Sequence, residues 1–340
     1  MKSYELIKPT IELDLILSIL INDNDAVRSL DVKLVNWDKL YILILRHKVV
    51  LQIYPALQVS KLAPQCFMQK LVLEYNKVKF NMLPIVGETM RISKAFTNDN
   101  LSYIMLKGVL LGDLLYGGSC HRQCKDIDIW VDQDQFYKAR SILHLMGYVQ
   151  LIPSFEITPH NQASYFKKYN DITLFHPIRK VQVELHYKQK FFGKSFYTFG
   201  SAKTNFVNLQ SVVINTLDNN YHALYLMLHG TKHAWLRIRW LYDIYLLIVT
   251  QQCDIKEIYR LSKGLKSCDV VLQALWLVRD VFKLDDNFLN ELLNSMGYLS
   301  SLLAKNSAHF IYSDHNLSIN PLHFGLLGIK NKIIKSLLHL

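Results

Sequence analysis

Long apolar runs are missing from this chain. The stretch Ile11 to Ile21 is broken by Glu12 and Asp14, and Leu241 to Val249 is too short to cross a hydrocarbon core of about 30 Å. No segment therefore reads as a membrane span. The first residues lack a basic head leading into an unbroken apolar stretch and a small-residue cleavage site, which predicts no signal peptide and a cytoplasmic location. Cysteine is scarce. Cys66, Cys120, Cys124, Cys253 and Cys268 are odd in number and scattered, a pattern that fits reduced thiols rather than a disulfide framework. Internal repeats, low-complexity segments and basic runs long enough to form an arm or tail are also lacking.

Acidic residues are outnumbered: 39 Lys and Arg stand against 28 Asp and Glu, a formal net charge of +11. The excess favours polyanionic partners such as a nucleoside triphosphate, RNA or an anionic membrane surface, without choosing among them. With 340 residues, half of them apolar, the chain is long enough for two or three domains and a substantial core.

The stretch Met105 to Val131, MLKGVLLGDLLYGGSCHRQCKDIDIWV, concentrates the chemistry. If Asp126 to Val131 is a strand, alternation puts the Asp126 and Asp128 carboxylates on one face and Ile127, Ile129 and Val131 in a core. Two carboxylates on one face repel unless a cation sits between them, and oxygen ligands at this density suit Mg2+ or Mn2+. The plainer reading of an Asp-x-Asp is a solvated face or a cap. A second alternating run, Lys180 to Tyr187, puts Glu184 on a polar face, where it completes a three-carboxylate cluster able to hold two metal ions if the strands are neighbours. Asp171 is the alternative third acid should the register differ by one strand. Cys120, His121 and Cys124 have the spacing of half a zinc site, but a fourth ligand is not evident, and a nucleotide-contacting or flexible loop is the competing reading.

Helical spacing marks Leu13, Ile16, Leu17, Leu20 and Ile21, then Trp37, Leu40, Tyr41, Ile44 and Leu45. A helix is expected over Cys66 to Met82, bounded by Pro64 and Pro84, and another over Val86 to Phe96. Strand Leu101 to Leu106 leads to Lys107 and Gly108, whose missing side chain permits close approach to a phosphate. Helix Val109 to Tyr116 then points its first amides at that anion and stops at Gly117. Asp132 reads as a cap for a helix over Gln135 to Met146. Further strands are expected at Ala163 to Tyr169, Ile172 to Phe175 and Lys180 to Tyr187. From Thr216 the chain turns helical, with more helices beyond Asp254 and Leu337 to Leu340 closing it. His222, His229 and His233 can stack on one helical face, as metal ligands or as core histidines. Residues 1–95 thus form an N-terminal helical region, 96–190 an α/β core with a mixed sheet, and 191–340 a C-terminal helical domain.

The residues Lys107-Gly108, Arg122, Asp126-Ile127-Asp128-Ile129-Trp130-Val131 and Glu184-Leu185-His186 resemble the nucleotidyltransferase fold of the polymerase beta type. They are most similar to its branch of uncharacterised nucleotidyltransferases. The stretch His229-Gly230-Thr231-Lys232-His233-Ala234-Trp235, with Arg237, Arg239, Trp240 and Asp243, is similar to the His- and Trp-rich helical segment after that branch's sheet. The resemblance covers roughly residues 100 to 250. Val109 stands where the wider fold has a second Gly or a Ser, so no hydroxyl contact to phosphate carries over. The long loop from Gly108 to Asp126 resembles the toxin-type members.

The resemblance implies an enzyme that moves a nucleoside monophosphate from a nucleoside triphosphate to a hydroxyl and releases pyrophosphate. Asp126, Asp128 and Glu184 are its expected catalytic and metal residues for Mg2+ or Mn2+. Lys107, Gly108, Arg122 and Lys232 are its expected nucleotide-binding residues, with a solvated helix face the competing reading for Lys232. Protein, RNA, sugar and small metabolite all remain eligible acceptors. A binding module that has lost its chemistry on the same fold is the alternative. If carboxylate repulsion dominates, Asp128→Asn should abolish turnover while keeping or raising stability.

Overall fold

The computed structural model describes residues 8–191 and 194–312. They divide into two compact units, one built from the residues up to Asn76 together with those from Ala223 onward, the other from Lys77–His222. The architecture is mixed α/β, and helical segments precede and follow in sequence the strands of a seven-stranded sheet.

Helices α1 (Ile11–Leu20), α2 (Asn24–Ser29), α3 (Trp37–His47), α4 (Val50–Ser60) and α5 (Gln65–Asn98) come first. The expected α1 and α3 stripes bury Leu13, Ile16, Leu17, Leu20, Leu40 and Ile44. Glu12 is buried among them. Its carboxylate accepts the Asn36 backbone N–H at 3.0 Å and pairs with Lys39 at 3.2 Å, fixing α1 against the start of α3.

The second unit carries β1 (Tyr103–Met105), α6 (Val109–Tyr116), β2 (Asp126–Val131), α7 (Phe136–Leu145), β3 (Val149–Ile152), α8 (Gln162–Lys168), β4 (Asp171–His176) and β5 (Val181–His186). A short pair follows, β6 (Lys190–Phe191) with β7 (Lys194–Ser195), and then a hairpin, β8 (Thr204–Leu209) and β9 (Val212–Leu217). The main sheet runs β3-β4-β5-β2-β1-β9-β8. β2 pairs parallel with β5 and antiparallel with β1, and β1 pairs parallel with β9, so the sheet is mixed.

One face of this sheet is apolar. Ile127, Ile129 and Val131 of β2, Val181, Val183 and Leu185 of β5, and Ile172 and Leu174 of β4 join a core with Met82, Val86 and Phe96 of α5 and Phe136, Ala139 and Leu143 of α7. Each such side chain contributes roughly 1.5–3 kcal/mol by leaving water. Burying this set fixes the register, because a slip of one residue would drive Asp126 and Asp128 into the core.

After Lys232, where α9 (Asn219–Lys232) ends, the chain continues as α10 (Ile238–Thr250), α11 (Ile255–Gly264), α12 (Cys268–Phe282), α13 (Asn287–Asn294) and α14 (Tyr298–Tyr312). Here α10 and α14 pack on α12. The α10 start is tied to the N-terminal helices by the Ile238 N–H, which donates to His47 Nδ1 at 3.1 Å, and the Tyr242 hydroxyl donates to the Leu20 carbonyl at 2.7 Å. Leu337 to Leu340 lie outside the described residues.

Three expected elements differ. The expected break at Pro84 is absent, and α5 runs unbroken from Gln65 to Asn98. Pro84 and Phe80 are exposed, so the carbonyl that proline deprives of a partner can turn to water while Val78, Met82, Ile85 and Val86 are held by burial. The strand expected at Ala163 to Tyr169 is α8. Tyr165 and Phe166 both find aromatic contacts, with Phe166 4.1 Å from Tyr187 and 5.1 Å from Phe136, and adjacent residues reach a common side in a helical turn but not in a strand. Residues 204–217, assigned with the C-terminal helical region, form β8 and β9. Thr216 Oγ1 donates to the Met105 carbonyl at 2.6 Å and Asn215 Nδ2 to the Tyr103 carbonyl at 2.9 Å, so side chains supplement a parallel pairing too sparse to signal itself.

Candidate active site

The polar face of the sheet is set by strand register. β2 and β5 align Asp126 with Gln182, Asp128 with Glu184 and Trp130 with His186, while β4 aligns Asp171 with His186 and Thr173 with Glu184. Register partners share a face, as do residues two apart on one strand. Asp126, Asp128, Glu184, His186 and Asp171 therefore converge on the side opposite the core. Trp130, on this face, is buried against Phe199 at 5.5 Å and Phe196 at 6.4 Å.

Asp128 is the centre of the cluster. Its side chain is 1% exposed, and its Oδ1 lies 2.8 Å from Lys107 Nζ and 3.4 Å from His186 Nε2. Its Oδ2 is buried with no hydrogen-bond partner among the described residues. Burial opposes ionisation of Asp128, yet the Lys107 ammonium and the His186 ring outweigh it and hold the carboxyl well below the usual carboxylate range. Glu184 goes the other way. Burial, then repulsion from Asp128 and Asp126, pushes its carboxyl up despite His186 and Lys107.

His186 bridges the acids. Its Nε2 lies 3.9 Å from Glu184 Oε2, and its Nδ1 lies 3.5 Å from Asp171 Oδ2. Burial disfavours its charged form, but hydrogen bonds to Asp128 and Asp171 prevail and push it up to about 9. Asp126 is nearly buried, 3.7 Å from the exposed Lys125 ammonium.

The chain entering the site is shaped by glycine. Gly108 caps α6 at φ 73 and ψ −126, a conformation closed to other residues without strain. Gly117 ends the helix in the left-handed region at φ 68. Gly112 lets the following loop lie on α6: a Cβ there would sit 2.9 Å from the Ser119 carbonyl and 3.3 Å from Arg122 Cβ. That close packing buries Arg122, 2% exposed, with its Nη1 donating to the Gly108 carbonyl at 3.5 Å. Asp132 accepts the Asp134 N–H at 3.3 Å as a cap.

The site residues read from the sequence are thus partly assembled. Lys107, Asp126, Asp128 and Glu184 share one face, and Gly108 with Arg122 borders it. Lys232 is exposed at the end of α9, in the stretch that belongs to the first unit. Among the described residues, one grouping of three or more metal-ligand side chains brings its ligand atoms within 4.8 Å of one another: Asp128, Glu184 and His186. Asp126 stands outside that grouping. Cys120, His121 and Cys124 form no second one, and neither do His222, His229 and His233. His229 and His233 instead pack as aromatic rings, 4.6 Å apart and beside Trp240. His186, which the sequence offers only as the last residue of the Glu184-Leu185-His186 motif, stands here between Asp128, Glu184 and Asp171.

These residues fit a divalent cation. The ionised, buried Asp128 has one oxygen unsatisfied, and beside it burial and repulsion from Asp128 and Asp126, which a cation would relieve, push the Glu184 carboxyl up.

The uncharacterised nucleotidyltransferase family model matches residues 33–283. No curated protein matches the sequence. Among solved structures, ANT(2")-Ia in complex with adenylyl-2"-tobramycin is similar at 10% identity and a TM-score of 0.39, over 54% of this chain and 97% of that one. Among the described residues, no helix is long and apolar enough to cross a membrane.

Proposed function

This chain belongs to the uncharacterised nucleotidyltransferase family, a family of transferases, and from that premise we propose that it moves a nucleoside monophosphate from a nucleoside triphosphate to an acceptor hydroxyl, releasing pyrophosphate. The observation that carries the reading is the pairing of Asp128 with Glu184 across parallel strands, with a buried Asp128 oxygen left unsatisfied.

In this proposal Asp126, Asp128 and Glu184 hold Mg2+ or Mn2+. The cation supplies charge neutralisation at the triphosphate and acidifies the attacking hydroxyl. Glu184, the register partner of Asp128, would share in holding the cation and favour deprotonation of the attacking hydroxyl. Lys107, a flexible cationic side chain already on this face beside Asp128, would neutralise charge developing on the phosphates. Gly108 and the first amides of α6 admit a phosphate closely. Arg122, buried against the Gly108 carbonyl, sets the shape of that turn and adds positive potential. Catalysis in this class is chiefly positioning and electrostatics, which the arrangement supplies without a covalent intermediate.

Incubation of the protein with each alpha-labelled triphosphate, Mg2+ or Mn2+, and cell extract tests the reading. Transfer of label to a protein, RNA, sugar or metabolite supports it and identifies the acceptor class. Absence of transfer, together with triphosphate binding seen as a thermal shift, would favour the non-catalytic module.

A further inference from the structure

Metal sites for phosphoryl chemistry are usually all-oxygen, and Mg2+ in particular demands oxygen ligands. The cluster here departs from that. Its mutually close ligand atoms come from Asp128, Glu184 and His186, and the nitrogen donor lies nearer to the buried Asp128 than Glu184's carboxylate lies to that same imidazole: 3.4 Å from His186 Nε2 to Asp128 Oδ1, 3.9 Å from His186 Nε2 to Glu184 Oε2. Asp171, the register partner of His186, sits 3.5 Å from the other ring nitrogen. A carboxylate behind an imidazole orients the ring and raises the basicity of the nitrogen that faces the site, as in carboxylate–histidine–metal triads.

We propose that His186 Nε2 is a metal ligand, held in place by Asp171, so that the site is a mixed nitrogen and oxygen site that prefers a first-row transition cation such as Mn2+ over Mg2+. The inference rests on the cation-dependent reading of this same face and names the cation class it takes. Three features support it together. His186 is buried, between its register partners Trp130 on β2 and Asp171 on β4, with both ring nitrogens against carboxylates. The unsatisfied Asp128 oxygen needs a positive partner that Lys107, engaged at the other oxygen, does not provide. Imidazole nitrogen binds transition cations well and Mg2+ poorly, so one such donor among carboxylates shifts selectivity without changing net ligand charge. In this arrangement Asp171 is a positioning residue that keeps the proton on Nδ1, and a bound cation would replace the proton that Nε2 holds toward Asp128, with that proton released to solvent. The choice between Glu184 and Asp171 as an acid of the site then resolves into two roles on two strands.

Pulsed electron paramagnetic resonance of Mn2+ bound to the full chain, with natural-abundance and 15N-histidine protein, reads the ligand directly and needs no turnover. The inference predicts a histidine nitrogen coupling that changes with the isotope and disappears in His186→Asn. In competition titrations, the preference for Mn2+ over Mg2+ should fall on the order of tenfold in His186→Asn, and Mn2+ affinity should fall about tenfold in Asp171→Asn. If His186→Asn fails to fold, the isotope comparison on the unmodified sequence still decides. Bound Mn2+ without histidine nitrogen coupling, or coupling that survives in His186→Asn, overturns the ligand assignment while leaving the transferase reading intact. Failure to bind Mn2+ at millimolar concentration overturns both. Nitrogen coupling in a protein that transfers no nucleotide keeps the assignment and removes the transferase reading.

Discussion

Asp128 and Glu184 face each other as register partners on the parallel strands β2 and β5, and they respond to that neighbourhood in opposite senses. Asp128 sits deeper but is paired with Lys107 and His186, so it stays ionised. Glu184 is buried and repelled by Asp128 and Asp126, so its proton is held more tightly. Two carboxyl groups with separated proton affinities can divide the work of holding charge and accepting a proton.

The pairing reverses one expectation. Carboxylate repulsion alone predicts that Asp128→Asn keeps or raises stability, but this carboxylate is the counter-ion of a half-buried ammonium. Asp128→Asn should cost about 1.5–3 kcal/mol in the metal-free protein, because a neutral amide replaces the carboxylate in the charge-assisted contact with Lys107. Glu184→Gln should leave stability unchanged or raise it by relieving repulsion. Urea unfolding of both variants in chelator checks the contrast, and equal losses in the two would contradict it.

Lys107 offers a second check. Lys107→Ala should lower kcat/KM for the triphosphate on the order of 100-fold, the usual scale for removing one preorganised donor to developing charge. If the contact is energetically coupled, Lys107→Met should cost less stability on the Asp128→Asn background than on the unmodified one. Strict additivity would show that the 2.8 Å contact is energetically idle.

His47 predicts the acid limb of stability. Burial, then Arg46 and Arg237, holds this imidazole well below its usual range, and its Nδ1 accepts the Ile238 N–H, so the folded ring is neutral with its proton on Nε2. The unfolded chain binds the proton first. Its stabilising contribution is therefore complete above the unfolded pKa of about 6.5 and is lost as pH falls toward the folded value, at up to about 1.4 kcal/mol per pH unit. Melting temperatures from pH 7 down to 4.5 should show a shallower decline in His47→Asn than in the unmodified protein. Parallel declines would exclude His47 as the titrating group.

Gly230 tests a motif that looks chemical but is packed. A Cβ at this position would lie 2.1 Å from the Trp235 ring, and that ring is fully buried. Gly230→Ala should therefore cost about 1–3 kcal/mol, readable as a lower denaturant midpoint with an unchanged slope. A variant as stable as the original would mean that the ring can move aside.

Much of this was legible in the chain. Alternation alone placed Asp126 and Asp128 opposite Ile127 and Ile129, and Gly108 and Gly117 bracketed α6 at its observed ends, because these signals are local. The fold class followed from them and from the resemblance. What escaped depended on distant contacts. The hairpin β8 and β9 is recruited by bonds from Thr216 and Asn215 to β1, more than a hundred residues earlier. Pro84 is tolerated because its side of α5 is exposed. The part played by His186 follows from strand order, which sets Asp171 behind it and Asp128 before it, and no window of sequence contains all three.

The central claim is that the Asp128 and Glu184 face transfers a nucleotide with a divalent cation. The most direct test follows pyrophosphate release and acceptor labelling together in the unmodified protein and in Asp128→Asn, at a temperature where both are folded and with Mg2+ or Mn2+ present. The account predicts one pyrophosphate per nucleotide transferred in the unmodified protein, none in chelator, and at least a hundredfold loss in Asp128→Asn, on the order expected for removing a principal electrostatic group. Transfer that persists in Asp128→Asn, or that proceeds equally in chelator, would contradict it.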